Sequence, residues 1–156
     1  MSSEIINSLT NMNIFDLDGT LRDVSKSNFL APRGNAACIN KNWHNWQRYA
    51  NEHGMPIEQG IALFNSTENP IILTSSQFGT ADWCKKHGLD PYGVIERQAD
   101  DELTPFEYKK AFIDEFAQRI SLWVDDNTRV CRYAMSQGIK VVQIAAPKGK
   151  QSCQLI

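Results

Sequence analysis

The sequence predicts an α/β fold, a doubly wound parallel sheet of about five strands, and three observations predict it. Five short apolar, β-branched runs recur along the chain, stretches with helical pattern separate them, and most of the runs lack polar alternation. Strands buried on both faces of a parallel sheet have that character, and alternation of strand and helix implies right-handed crossovers.

The runs are Met12 to Leu17, Pro70 to Thr74, Gly93 to Arg97, Ile120 to Val124 and Ile139 to Ala145. Helices are predicted over Asn42 to His53, stopped by Gly54, and over Ile57 to Asn65 after Pro56. Glycine and proline at those places act as stop and start signals. Further helices are predicted over Phe78 to His87 before Gly88, Pro105 to Gln118, and Thr128 to Gln137 before Gly138. The segment between residues 19 and 69 has room for a loop and about two helices, so any lid is small. The tail, residues 147–156, reads as loosely held.

A chain of 156 residues with 42% hydrophobic content suits one domain spanning residues 1–156. A net charge of −2 argues against coating nucleic acid or membrane through the overall field. No apolar segment approaches a bilayer span and the N-terminal stretch lacks a signal pattern, so a cytoplasmic, membrane-free protein is expected. Cys38, Cys84, Cys131 and Cys153 are scattered with no Cys-x-x-Cys pair, and read as reduced thiols rather than a zinc site. His44, His53 and His87 are isolated and read as surface or packing residues. Oligomeric state leaves no signal in the sequence.

Ligands of open parallel sheets sit beyond the carboxyl ends of the strands. The first strand runs into Asp16-Leu17-Asp18-Gly19-Thr20, the second into Thr74-Ser75-Ser76, and the fourth into Asp125-Asp126-Asn127. Neighbouring strands would crowd Asp16, Asp18, Asp125 and Asp126, and like charges about 5 Å apart at an effective dielectric near 20 repel by roughly 3 kcal/mol per pair. Such a cluster calls for a cation, and all-oxygen ligands with room for a phosphate favour Mg2+. One carboxylate, Asp16, is then placed to attack phosphorus while Asp18 transfers protons.

Phe15 to Leu21, Phe-Asp-Leu-Asp-Gly-Thr-Leu, resembles the first motif of the haloacid dehalogenase-like superfamily. Ile71 to Thr74 is similar to the second motif and Trp123 to Asp126 to the fourth, in the right order. The resemblance implies a Rossmann-like phosphatase in which Asp16 is the nucleophile and Thr74 binds phosphate. Asp18 would be the acid/base, with its backbone carbonyl on the metal. Asp125 completes the metal site, and Asp126 contributes there either by supporting a ligand or through water. The third motif supplies a lysine or arginine, and Lys109 and Lys110 are adjacent candidates. Lys109 shares a helical stripe with Phe112, Ile113, Phe116 and Ile120, whereas Lys110 shares fewer apolar partners, so Lys109 is the better placed.

Residues 19–51 carry five basic side chains (Arg22, Lys26, Arg33, Lys41, Arg48) against Asp23, making a small basic cap-like insert within residues 19–69. A local basic wall suits phosphodiester or nucleotide phosphates. Trp43 and Trp46 have the spacing both of a base-stacking platform and of a buried helical face. In layout the chain is most similar to phosphatase domains associated with phage-type polynucleotide kinases, which act on nucleic-acid 3'-phosphates. Those relatives tend to carry Gly-Arg after the second-motif hydroxyl, where this chain has Ser75-Ser76. Ser75 and Arg97 are candidate substrate contacts, Arg97 as a substitute clamp or in a salt bridge with Asp100 or Asp101. There is no P-loop, hence no kinase half. The expected partner is a phosphorylated nucleic-acid end, with a mononucleotide as the alternative substrate and a noncatalytic phosphate-binding module as the alternative class.

Overall fold

In the computed structural model, which describes residues 3–147, the five apolar runs form one parallel sheet. The chain opens with α1 (Ser3–Ser8), β1 (Met12–Phe15) and β2 (Arg22–Asp23). Three 3-10 turns (Ser25–Leu30, Gly34–Cys38, Asn40–Trp43) precede α2 (His44–His53), β3 (Met55–Pro56) and α3 (Glu58–Asn65). Then follow β4 (Pro70–Thr74), α4 (Thr80–Lys86), β5 (Gly93–Glu96), α5 (Pro105–Phe116), β6 (Ile120–Asp125), α6 (Thr128–Ser136) and β7 (Val141–Gln143). Sheet order is β5-β4-β1-β6-β7, and β2 and β3 form a separate antiparallel pair. Of the tail, all but Pro147 lies outside the described residues, as does Cys153.

Side-chain alternation along β1 divides the core. Met12 and Ile14 join Ile71, Leu73 and Trp123 beneath α5 and α6, while Phe15 and Leu17 join Ile72 and Val124 beneath α3 and α4. A register shift after Met12 pairs it with Ile120 and Asn13 with Leu122. That irregularity puts Ile120 and Trp123, three residues apart, on one face. By the same alternation Asp16 and Asp125 continue on the α5 face.

Two helices, α5 and α6, start where their sequences say they should. Thr104 and Glu107 make a reciprocal capping box at the head of α5, with Pro105 in its first turn, and the Asn127 side chain caps α6 by accepting from Val130 N–H. α3, counted within the cap-like insert, instead covers the sheet: Phe64 meets Phe15 edge-on at 5.3 Å. The remainder of the insert has a small core of its own, Val24, Ala31, Trp46 and Ala50, with Leu30 and Trp43 packed against it. No helix of the described residues is long and apolar enough to cross a membrane.

Candidate active site

Asp16 lies just beyond β1 but remains in the ladder, its N–H donating to Val124 O at 2.8 Å. The chain then folds back sharply. The N–H groups of Thr20, Leu21 and Arg22 all converge on Leu17 O, at 3.2, 2.8 and 2.9 Å. Gly19 supports this turn with φ +88°, a conformation that costs a side-chain-bearing residue. The turn returns the Thr20 hydroxyl to donate to Asp16 Oδ2 at 2.9 Å, with Asp126 Oδ1 at 3.4 Å. From α5, Lys109 Nζ reaches across to Asp16 Oδ1 at 2.6 Å and Asp125 Oδ2 at 2.8 Å. Trp123 Nε1 and the Asn127 N–H also donate to Asp125, which is fully buried.

Carboxylate oxygens of Asp16, Asp125 and Asp126 all lie within 4.8 Å of one another. Burial pushes the Lys109 ammonium toward losing its proton, yet the neighbouring Asp125 and Asp16 charges and their hydrogen bonds outweigh it, so its pKa is raised. The lysine therefore stays charged. Three carboxylates at 4.8 Å or less repel by about 3.5 kcal/mol per pair at an effective dielectric near 20, roughly 10 in all. Two lysine contacts, at 2.6 and 2.8 Å, each return about 6 kcal/mol on the same scale. Lys109 thus roughly offsets the acids and leaves nothing to attract a phosphate dianion. The all-oxygen donor set, with a residual charge of −2 from three carboxylates and one ammonium, fits a hard divalent cation.

Asp18 sits apart from that trio. Its Oδ1 accepts from Arg22 Nε at 2.6 Å and its Oδ2 from Ser76 Oγ at 3.1 Å. The expected crowding of four acids is therefore a crowding of three, because the turn at Gly19 rotates Asp18 away from the direction a continued strand would give it.

No protein-family model and no curated protein matches the sequence. Solved structures do. A haloacid dehalogenase-like family hydrolase, SP0104 from Streptococcus pneumoniae, superposes with a TM-score of 0.59 at 17% identity, over 93% of this chain and 89% of that one. The chain has the haloacid dehalogenase-like fold. A second example of it, a HAD family enzyme from Bacteroides thetaiotaomicron in complex with magnesium and inorganic phosphate, matches with a TM-score of 0.50 at 12% identity, over 96% and 100% of the two chains. A chain of the Pnkp1/Rnl/Hen1 RNA repair complex matches with a TM-score of 0.62 at 18% identity, over 88% of this chain and 43% of that one. This chain thus spans less than half the length of the repair-complex chains it matches.

On this haloacid dehalogenase-like scaffold the other predicted residues fall as follows. Thr74 closes β4, buried, its Oγ1 accepting from Ser76 N–H at 3.0 Å. Ser75 is half-buried, and it is the next residue, Ser76, whose hydroxyl turns to Asp18. Lys110 pairs with Asp114 at 2.8 Å on the surface. Arg97 is buried and donates to Leu103 O at 2.8 Å. The basic wall needs one correction: Lys26, Arg33, Lys41 and Arg48 are exposed, but Arg22 is completely buried against Asp18. Trp43 and Trp46 meet edge-on at 5.3 Å in the insert core, so packing accounts for both. Sequence reasoning missed Thr20, Arg22 and Ser76. Thr20 sits within the first motif, and the spacing of four between Asp18 and Arg22 was the visible signal for their pair.

Proposed function

We propose that this chain is a magnesium-dependent phosphomonoester hydrolase working through an aspartyl phosphate. The observation that carries the reading is the buried Lys109 ammonium held between Asp16 and Asp125 beside Asp126. Lys109 and the Thr20 hydroxyl fix one oxygen each of Asp16, holding the carboxylate ready for attack on phosphorus. The Thr74 hydroxyl, already accepting from Ser76 N–H, keeps its own proton to give to a phosphoryl oxygen. Asp18 supplies the proton to the leaving oxygen and afterwards takes one from the water that cleaves the intermediate. Asp16, Asp125 and Asp126 would hold the magnesium ion, whose positive charge compensates the incoming dianion.

The substrate we favour is the 3'-phosphorylated end of a nucleic acid. Support comes from the four exposed cations of the insert, from its small size, and from the fold shared with a chain of an RNA repair complex. Phosphate release would be measured from a 3'-phosphorylated oligonucleotide and from a 3'-mononucleotide, with magnesium and with chelator. The expected result is release that chelator stops, and a kcat/KM for the oligonucleotide at least about tenfold the higher, equivalent to roughly 1.4 kcal/mol. The reverse preference identifies a nucleotidase. No release from any ester, together with unchanged ligand binding by Asp16→Asn, identifies a binding module.

A further inference from the structure

The basic segment that suggested a nucleic-acid surface contains one member that solvent never reaches. Arg22 is 0% exposed. A guanidinium keeps its charge under all ordinary conditions and carries five N–H donors, which makes it a poor filler for an apolar core. Its donors here are unevenly used: Nε binds Asp18 Oδ1 at 2.6 Å and Nη1 binds Asn51 Oδ1 at 2.5 Å, while buried Nη2 finds no hydrogen-bond partner among the described residues. The Trp83 ring lies 5.6 Å from the guanidinium carbon. Apolar residues of similar volume often replace such a buried ion pair with no loss of stability, so packing alone does not explain an arginine with a donor to spare.

What the arginine does achieve is directional. Between Arg22 on Oδ1 and Ser76 on Oδ2, the Asp18 carboxylate is held from two sides. Arg22 is itself anchored at a distance, because Asn51 on α2 passes the link on, its Nδ2 donating to Phe78 O at 3.0 Å. The stem has no spare room: a Cβ on Gly54 would lie 2.7 and 2.8 Å from Arg22 Cγ and Cδ, and one on Gly79 would lie 2.3 Å from Asn51 Nδ2. A single path of hydrogen bonds therefore runs from the insert helix through Asn51 and Arg22 to Asp18.

We infer that Arg22 is a positioning residue for Asp18, setting the direction of its carboxylate and tying that direction to α2. The inference rests on the phosphatase reading, in which Asp18 serves the leaving oxygen. An alkyl phosphate needs that proton in the first step, whereas 2,4-dinitrophenyl phosphate, whose leaving group is stable as an anion, does not. Because kcat/KM reports events up to formation of the aspartyl phosphate, the ratio of the two esters isolates the proton-transfer geometry from general damage.

The test compares a 3'-mononucleotide with 2,4-dinitrophenyl phosphate. Arg22→Met should lower kcat/KM for the nucleotide by roughly 10- to 100-fold and for the aryl ester by less than about threefold. In an Asp18→Asn background the same change should cost less than about a further twofold, since the group being positioned is already disabled. Asn51→Ala, which leaves the Asp18 pair in place but frees its far anchor, should shift the ratio in the same direction by less. Equal losses on both esters from a variant with a wild-type circular dichroism spectrum, a gain in nucleotide turnover, or full additivity with Asp18→Asn each overturns the inference. If Arg22→Met does not fold, Asn51→Ala decides, and an unchanged ratio there overturns it. A wild-type protein that releases no phosphate from either ester or from the 3'-phosphorylated oligonucleotide removes the phosphatase reading itself, and the positioning role with it.

Discussion

Replacing Lys109 with methionine removes one positive charge from the centre of the acidic trio while keeping the length of its stem. The ammonium lies 2.6 Å from Asp16 and 2.8 Å from Asp125, and all three side chains are shielded from solvent. Each contact is worth about 6 kcal/mol of Coulomb attraction at an effective dielectric near 20, most of it offset by the cost of stripping water from the ions. What the variant loses is the net term for leaving buried carboxylates without their cation, about 3 to 5 kcal/mol. In a chain of 156 residues that corresponds to a fall in Tm of roughly 10 °C. Magnesium should recover more Tm in the variant than in the wild type, because a divalent ion can stand in for the missing charge. Turnover should drop by roughly 10²- to 10³-fold, the scale of losing a buried electrostatic stabiliser. The control is Lys110→Ala, whose partner Asp114 is on the surface, and it should stay within about twofold of wild-type turnover. Thermal melts with and without magnesium, beside phosphate-release assays, read both effects. Equal and small losses in the two variants would refute the reasoning, since they would mean that burial between Asp16 and Asp125 confers no catalytic role.

Two further substitutions probe the frame around the site. A Cβ on Gly60 would lie 1.8 Å from Thr20 O, so Gly60→Ala must push α3 off the turn that carries Thr20. About 1 to 3 kcal/mol of stability and at least roughly tenfold in turnover should be lost, whereas Gly88→Ala, which has a positive φ but open space, should lose only stability. Thr104→Ala removes the α5 cap and should cost about 1 kcal/mol by urea melt at neutral pH. The Thr104 hydroxyl, and then its backbone, hold the Glu107 carboxyl below its ordinary 4.5. The folded state therefore binds this proton less readily than the unfolded state, so the stabilisation is complete above pH 4.5 and fades as pH falls through the depressed value. An NMR titration of Glu107 should move part of the way back toward its ordinary range in Thr104→Ala, since the backbone N–H of residue 104 still donates to its carboxylate, and the variant's stability should depend less on pH in that acid window.

Local pattern made much of this legible. All five strands of the parallel sheet lie within the runs expected from composition or end within a residue of them, because strands covered on both faces are predominantly apolar. Lys109 could be told from Lys110 because helical phase is a local property, and α5 does aim the two in different directions. Short elements without a repeating apolar stripe were not legible: α1, the three 3-10 turns and the two-residue pairing of β2 with β3. Burial of charge was hidden for a related reason. Composition counts Arg22 with Lys26, Arg33, Lys41 and Arg48, and only the fold shows that one of the five faces inward. The choice between Ser75 and Ser76 likewise depended on how the loop after β4 closes on Thr74, which no spacing encodes.

Two of the buried cations, Lys109 and Arg22, bear on how one short motif could supply two unlike carboxylates. Asp16 and Asp18 are two residues apart, chemically identical, and within reach of the same phosphate in the proposed reaction. A nucleophile must stay ionised against an anionic substrate, while a proton carrier must be pointed at the leaving oxygen and kept off the metal. In the proposed reaction Lys109, bound to Asp16 and Asp125, would meet the first need, and Arg22, which with Ser76 holds the Asp18 carboxylate, would meet the second. The environments, not the side chains, separate the roles. Since Lys109 comes from α5 and Arg22 is braced by α2, the two proposed functions rest on different elements, and damage to the insert should reach proton transfer before it reaches attack on phosphorus.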